Sequence, residues 1–374
     1  MRSTQVNQID QLLVGFSPGD AISDYALWLQ RVLRSNGHGS SIYARHFKPE
    51  LSSIVRPWQE LFSQGKSPQL LFHYSIGSDV LDALRSYAGR LFIIHHNVTP
   101  PEYYARVNPT LSMLQQQGID SLPSFAAQAI HAFADSEYNA TQLIQAGFPS
   151  VSVQPIPFIA SRFAEQPSVR FDHILRTFRT RLLFVGRVAP NKRHDQLVRI
   201  AARYIRTVNR NACLILAGSF GGTETYKSAC QELASSLGIG EQVFFTGHVS
   251  QGDLRALYET ASAFLVTSDH EGFCVPLLEA MHFGLPIIAK RSTAIPETLH
   301  GSGILFEDAA VGKPELVELL HIIVTDLSLR TAVVDEQRSA LVNYEEARLA
   351  GAIIRGISEA NSTRFVTSGS RGVL

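Results

Sequence analysis

The sequence predicts an α/β protein of two domains, each a parallel sheet covered by helices. Buried-strand patterns alternate with amphipathic helix patterns along the whole chain. The strand patterns of the first half run into polar loops carrying glycine or proline, the end at which open α/β sheets bind ligands. The 374 residues exceed a single core of ordinary size, and the pattern breaks near Pro155-Ile156-Pro157.

Leu12 to Phe16 is expected as the first buried strand, followed by the loop Ser17-Pro18-Gly19-Asp20. Ile22, Tyr25, Ala26, Leu29, Val32 and Leu33 then recur at helical spacing, with Asp20 as the cap, until Gly37-His38-Gly39 ends the unit. Further strands are expected at Ser41 to Ala44, Leu70 to Tyr74 and Leu91 to His95. Pro, Ser and Arg dominate from Pro155 to about Arg181, the expected linker. Strands of the second half are expected at Leu182 to Gly186, Cys213 to Ala217, Val243 to Phe245, Ala263 to Val266, Pro286 to Ala289 and Gly303 to Phe306. Helices follow from Pro314, and Asn361 to Leu374 is expected as a loose tail.

The composition, 45% apolar and 18% charged, is that of an ordinary globular protein, and zero net charge argues against a nucleic-acid binder driven by bulk charge. Cys213, Cys230 and Cys274 fit neither a disulfide framework nor a zinc site, which points to a reducing compartment. Met1 to Asp10 lacks the apolar core of a signal peptide, and no stretch approaches the roughly 20 apolar residues of a membrane span. The expected location is therefore cytoplasmic, with peripheral contact at the inner membrane face as an option. The arginines of Arg162 to Arg181 offer a surface for anionic lipid, and the alternative is a solvated linker.

Two carboxylates carry the most information. Glu271 falls in a loop, and Glu279, eight positions on, falls in the opening turns of an apolar helix that runs into Phe283-Gly284-Leu285-Pro286. Carboxylates accept strong hydrogen bonds from sugar hydroxyls, and the helix start between them suits a phosphate. Sugar and phosphate together suggest a sugar nucleotide. In Val185-Gly186-Arg187-Val188-Ala189-Pro190-Asn191-Lys192, a strand, a glycine turn and two cations are placed to neutralise a diphosphate; the alternative is a pair of surface charges. Gly247-His248-Val249-Ser250 can offer backbone groups to a base, and Gly218 to Gly222 is expected as a flexible loop without the full nicotinamide fingerprint.

His95 and His96 end a strand pattern, and neighbours on a strand point to opposite faces. His95 suits the core, which leaves His96 as the functional candidate. Nothing is spaced to complete a metal site around them. Asp135-Ser136-Glu137 is expected as a turn and helix cap rather than part of a triad.

The second half resembles the retaining glycosyltransferases of the GT-B fold, glycosyltransferase family 4. The resemblance rests on Val185-Gly186-Arg187 with Lys192, Gly247-His248-Val249, Glu271 to Ala280, Gly284 to Ala289 and Ala294-Ile295-Pro296-Glu297, in family order over residues 182 to 308. The first half matches more loosely, through the loop after its first strand and His96-Asn97; His96 to Pro101 looks like a subgroup that builds bacterial surface polysaccharides. The implied architecture is two Rossmann-like domains facing across a cleft. Residues 1–165 and about 345–360 form the acceptor domain, residues 166–344 form the donor domain, and the C-terminal helix returns to the former. By this resemblance Arg187 and Lys192 hold the donor diphosphate beside Gly186, aided by backbone amides of Gly272, Phe273, Cys274 and Val275. Glu279 holds the ribose, Glu271 contacts the transferred sugar and Val249 frames the base. His96 comes from the opposite domain toward the sugar, and the Gly19 loop approaches the donor. Two departures stand out: Arg193 follows the lysine where many members carry glycine, and Pro18-Gly19 replaces a double glycine.

The expected reaction moves a hexose, glucose from UDP-glucose by preference, to a saccharide or lipid-linked saccharide, with retention and without a metal or other cofactor. The growing diphosphate charge is met by Arg187, Lys192 and the helix start, with His96 and Glu271 as the remaining catalytic candidates. Two alternatives stay open, a sugar-nucleotide epimerase of the same architecture and an inactive scaffold in a polysaccharide assembly complex.

Overall fold

The computed structural model describes residues 7–63 and 69–368. The chain divides into two compact units, one of Met1–Pro101, Ser112–Pro157 and Glu346–Leu374, the other of Glu102–Leu111 and Phe158–Glu345. The division thus falls after Pro157 rather than at the expected 165, and residues 102–111 go with the second unit.

Among the described residues, the first unit holds seven parallel strands: β1 (Ile9–Gly15), β2 (Ile42–His46), β3 (Val55–Pro57), β4 (Gln69–Tyr74), β5 (Leu91–His95), β6 (Ala129–Ala134) and β7 (Val151–Val153), in the order β3-β2-β1-β4-β5-β6-β7. Every residue of β5 is buried, as a parallel strand covered on both faces requires. β3, β6 and β7 were not expected. β3 and β7 have only three residues each, and β6 alternates alanine with Ile130, His131 and Phe133 rather than forming a branched apolar run.

The final helix, Glu346–Ser368, packs against β6 and against the helix Ala21–Ser35. Asn361, expected to open a loose tail, lies inside this helix; it donates to Gln69 Oε1 at 2.8 Å and accepts from Arg90 Nη1 at 2.7 Å. Residues 369–374 of the expected tail lie outside the described residues.

The second unit holds six parallel strands: β8 (Thr180–Val185), β9 (Ala212–Ala217), β10 (Val243–Gly247), β11 (Ala263–Val266), β12 (Ile287–Lys290) and β13 (Ile304–Phe306), in the order β10-β9-β8-β11-β12-β13. In both sheets the strand order reverses beside the first strand, at β1/β4 and at β8/β11. Those switch points are where doubly wound sheets open a crevice for a ligand.

The segment expected as a linker is built into this unit. Asp172–Thr177 is helical, and Arg162 and Arg170 pair with Glu279 and Asp253. Arg181 donates to the carbonyls of Thr260, Leu175 and Phe178. Among the described residues, no helix is long and apolar enough to cross a membrane.

Candidate functional site

The second unit's switch point gathers the loops after β8 and β11. β8 runs into Gly186, whose amide donates to Ala217 at 2.8 Å, while Gly218 after β9 donates to Gly247, the last residue of β10, at 3.1 Å. Gly186 and Gly218 take φ of 153° and 155°, and a Cβ on Gly218 would stand 2.0 Å from the Gly186 carbonyl oxygen. Only glycine permits this crossing of backbones.

Beyond it, Pro190–Lys192 forms a single tight turn that is laced to the β11 loop. Asn191 is buried; its side chain donates to the His270 carbonyl at 3.1 Å, and its own carbonyl accepts from Asp269 at 2.8 Å. Thr267 donates to the carbonyls of Lys192 and Arg193. These bonds bring Lys192 Nζ to 2.5 Å from Glu271 Oε2. Burial works against the Lys192 charge, but Glu271 and its surroundings outweigh that and hold the ammonium above the ordinary lysine value. Thr293 fixes the Glu271 backbone, accepting from its amide at 2.8 Å.

Arg193, standing where glycine is common, has φ of 52°. Its left-handed conformation explains the glycine preference of that place, and its guanidinium is held by Asp195 at 3.0 Å and Asp269 at 2.9 Å. Lys290 also binds Asp269 and, at 2.9 Å, Asp308. A charged lattice thus underlies the turn that presents Lys192.

Cys274, also left-handed at φ 79°, precedes the helix Val275–His282, with Pro276 in its first turn. Burial holds its thiol well above the ordinary value, so the chemistry at this position is that of its backbone. Gly272 and Phe273 complete the loop, and Thr298 donates to the Phe273 carbonyl at 2.6 Å. One turn into the helix, Glu279 is 3% exposed, its Oε1 accepting from Arg162 at 2.9 Å and its Oε2 from Tyr258 at 2.7 Å. Arg162, assigned by its sequence to the linker, is a partner the spacing did not disclose.

Arg187 is exposed and donates to the Gly221 carbonyl at 2.6 Å. The Gly218 to Gly222 loop, expected to be flexible, is tied there and through the Asn108 bond to Gly222 at 3.0 Å. Asn108 and Tyr104 belong to the 102–111 segment. Burial raises the Tyr104 phenol, and Arg187, Lys192 and Glu271 are the charges around it, so Tyr104 is a site residue the sequence did not reveal. Val249 is half-buried after β10, ahead of the helix Gln251–Thr260 that Ser250 and Asp253 cap reciprocally.

Gly19 and His96 lie in the first unit. Gly19 is exposed, with φ of 86° and its amide on Asp24 at 3.2 Å. The His96 ring is 1% exposed and both nitrogens are engaged, Nδ1 with Asp135 Oδ2 and Nε2 with His73 Nδ1, each at 2.8 Å. Both nitrogens are therefore held inside the unit by protein partners. Ser136 caps its helix as expected, but Asp135 is the partner of His96 rather than a turn residue alone. His95 is a core residue, with Nε2 at 3.0 Å from Gln142.

Residues 165–338 match the model of the family described as glycosyl transferases group 1. That match lies within the second unit and spans less than half of this chain, and the two-sheet fold is that of GT-B enzymes. Among curated proteins, the chain is 30% identical over 176 residues to a GDP-mannose-dependent alpha-(1-6)-phosphatidylinositol monomannoside mannosyltransferase of Mycolicibacterium smegmatis, covering 44% of this chain and 45% of that one. It is 30% identical over 185 residues to a D-inositol 3-phosphate glycosyltransferase of Salinispora arenicola, covering 47% and 40%. The matched region thus spans less than half the length of these relatives. Among solved structures, Anabaena HepE in complex with UDP-glucose superposes with a TM-score of 0.74 at 18% identity, over 94% of this chain and 99% of that one. Sucrose-phosphate synthase from Thermosynechococcus elongatus gives 0.71 at 16%, over 95% and 100%.

Proposed function

We propose that this chain is a group 1 glycosyltransferase, a retaining, metal-independent hexosyltransferase of family 4. It takes glucose from UDP-glucose and passes it to a saccharide or lipid-linked saccharide in polysaccharide biosynthesis. The observation that carries the reading is the Lys192–Glu271 pair, at 2.5 Å, beside the start of the helix Val275–His282. An ammonium, an arginine and a helix N-terminus form a fixed array of positive charge, the environment a departing nucleoside diphosphate needs. Glu279 accepts the ribose hydroxyls on the lone pairs that Arg162 and Tyr258 leave open, and Glu271 meets the sugar.

Stabilising the leaving group in this way requires no metal. The departing phosphate oxygen takes the acceptor proton as the new glycosidic bond forms on the same face, so the anomeric configuration is retained. His96 is assigned to the sugar and the site of attack, acting through the loop its ring anchors, and the Gly19 loop to the donor phosphates or sugar. UDP-glucose is favoured in keeping with the ligand of the Anabaena neighbour, and GDP-mannose is the second reading because the mycobacterial relatives are named for it.

The test is nucleoside diphosphate release from a panel of UDP- and GDP-sugars, with NMR of the sugar product. Release from UDP-glucose above all others, with an α-configured product, is expected. An inverted product removes the retaining mechanism, and conversion of the sugar while still attached to its nucleotide points instead to an epimerase.

A further inference from the structure

The first unit carries a buried chain of four polar side chains, Gln11 on β1, His73 on β4, His96 after β5 and Asp135 after β6. His73 Nε2 lies 2.9 Å from Gln11 Oε1, His73 Nδ1 lies 2.8 Å from His96 Nε2, and His96 Nδ1 lies 2.8 Å from Asp135 Oδ2. Tyr25 packs edge-on to both imidazoles.

The protons of this chain can be counted. Gln11 Nε2 donates to the Ala26 carbonyl at 3.0 Å, and a carbonyl can only accept. The amide is thereby oriented with its oxygen toward His73, so the proton in that bond belongs to His73 Nε2. Burial, with His96 adjacent, holds the His73 imidazole far below its ordinary value and therefore neutral. A neutral ring with a proton on Nε2 has a bare Nδ1, and the proton in the next bond must then come from His96 Nε2. The last bond, to Asp135, needs a proton as well.

Asp135 is 1% exposed, and its other oxygen, Oδ1, is buried with no hydrogen-bond partner among the described residues. Burial raises this carboxyl and His96 alone is set against that, so the proton of the last bond is held within the His96–Asp135 pair.

We infer that Gln11, His73 and Asp135 are positioning residues that hold His96 with a proton on Nε2, donated to His73, and with Nδ1 bound to Asp135. This arrangement differs from the Asp–His pair of a general base, in which Nδ1–H faces the carboxylate and Nε2 stays bare to take a proton. With a proton on Nε2 and Nδ1 bound to Asp135, His96 has no free lone pair to receive a proton from an acceptor hydroxyl. Its ring instead fixes the start of the loop through Asn97, which sits at φ 78°. The inference rests on the first unit alone and is independent of the donor.

The experiment is a long-range proton–nitrogen correlation spectrum of the full chain labelled with 15N-histidine, at neutral pH, assigned with single histidine-to-glutamine variants. The expected result is a proton on Nε2 of His96, with His73 protonated at Nε2 and bare at Nδ1. A bare Nε2 on His96 overturns the inference. In Asp135→Asn the amide NH2 can donate into Nδ1, so His96 should keep its proton on Nε2 and be bare at Nδ1. A bare Nε2 in that folded variant also overturns it.

Discussion

Glu279 gives one oxygen to Arg162 and the other to Tyr258, so its orientation is set by groups 117 and 21 positions away in sequence. Glu279→Gln leaves one end of the amide as a donor and removes the charge. The expected result is a KM for the nucleotide sugar raised about tenfold, measured by steady-state kinetics. Arg162→Ala leaves a carboxylate buried without its cation, and a loss of about 3 kcal/mol in urea unfolding is expected. Lys192 titrates above the ordinary lysine value. Its pair with Glu271 is therefore complete below that value and is lost only as pH rises through the raised one, so neutral and mildly alkaline pH should leave this contribution unchanged. Arg193 illustrates what was legible at this scale and what was not. The missing glycine was visible in sequence, whereas the carboxylate of Asp269 that helps hold the left-handed arginine comes from the loop after β11. Arg193→Ala should destabilise the fold more than Arg193→Gly, by about 1 kcal/mol, because both lose the ion pairs and only alanine retains the strain.

At the scale of elements, the β8 and β9 ends meet backbone to backbone. Gly218→Ala would drive a methyl into the Gly186 carbonyl and should cost about 2 kcal/mol or more, with loss of donor binding as the Gly186–Arg187 turn shifts. A thermal melt and a nucleotide-binding titration would read both effects. All six second-half strands were legible because they are runs of branched and aromatic residues bounded by turns. β6 was not, since Ala129-Ile130-His131-Ala132-Phe133-Ala134 has half its positions filled by alanine and derives its burial from the covering helix Glu346–Ser368. The same long-range packing turned Asn361 from an expected tail residue into a helical one. Tyr104 escaped notice for a related reason, because segment 102–111 belongs to the second unit although it lies within the first in sequence.

For the whole molecule, both sheets carry the doubly wound strand order, which fixes where each unit can bind a ligand before any side chain is considered. Three buried histidines bear on global stability. Burial holds His95 and His270 down to about 4 and His194 to about 3. Unfolded, each would titrate near 6.5, so the unfolded chain binds more protons below that pH. Stability is thus complete above about pH 6.5 and should fall progressively toward pH 4, a loss that chemical unfolding across this range would detect. The central claim, that the array around Lys192 stabilises a departing nucleoside diphosphate, is tested most directly by the rate of UDP release from UDP-glucose in wild type and in Lys192→Ala, each first shown to be folded. The account predicts a loss of about 100- to 1,000-fold in the variant. A folded Lys192→Ala protein that releases UDP at the wild-type rate would contradict it.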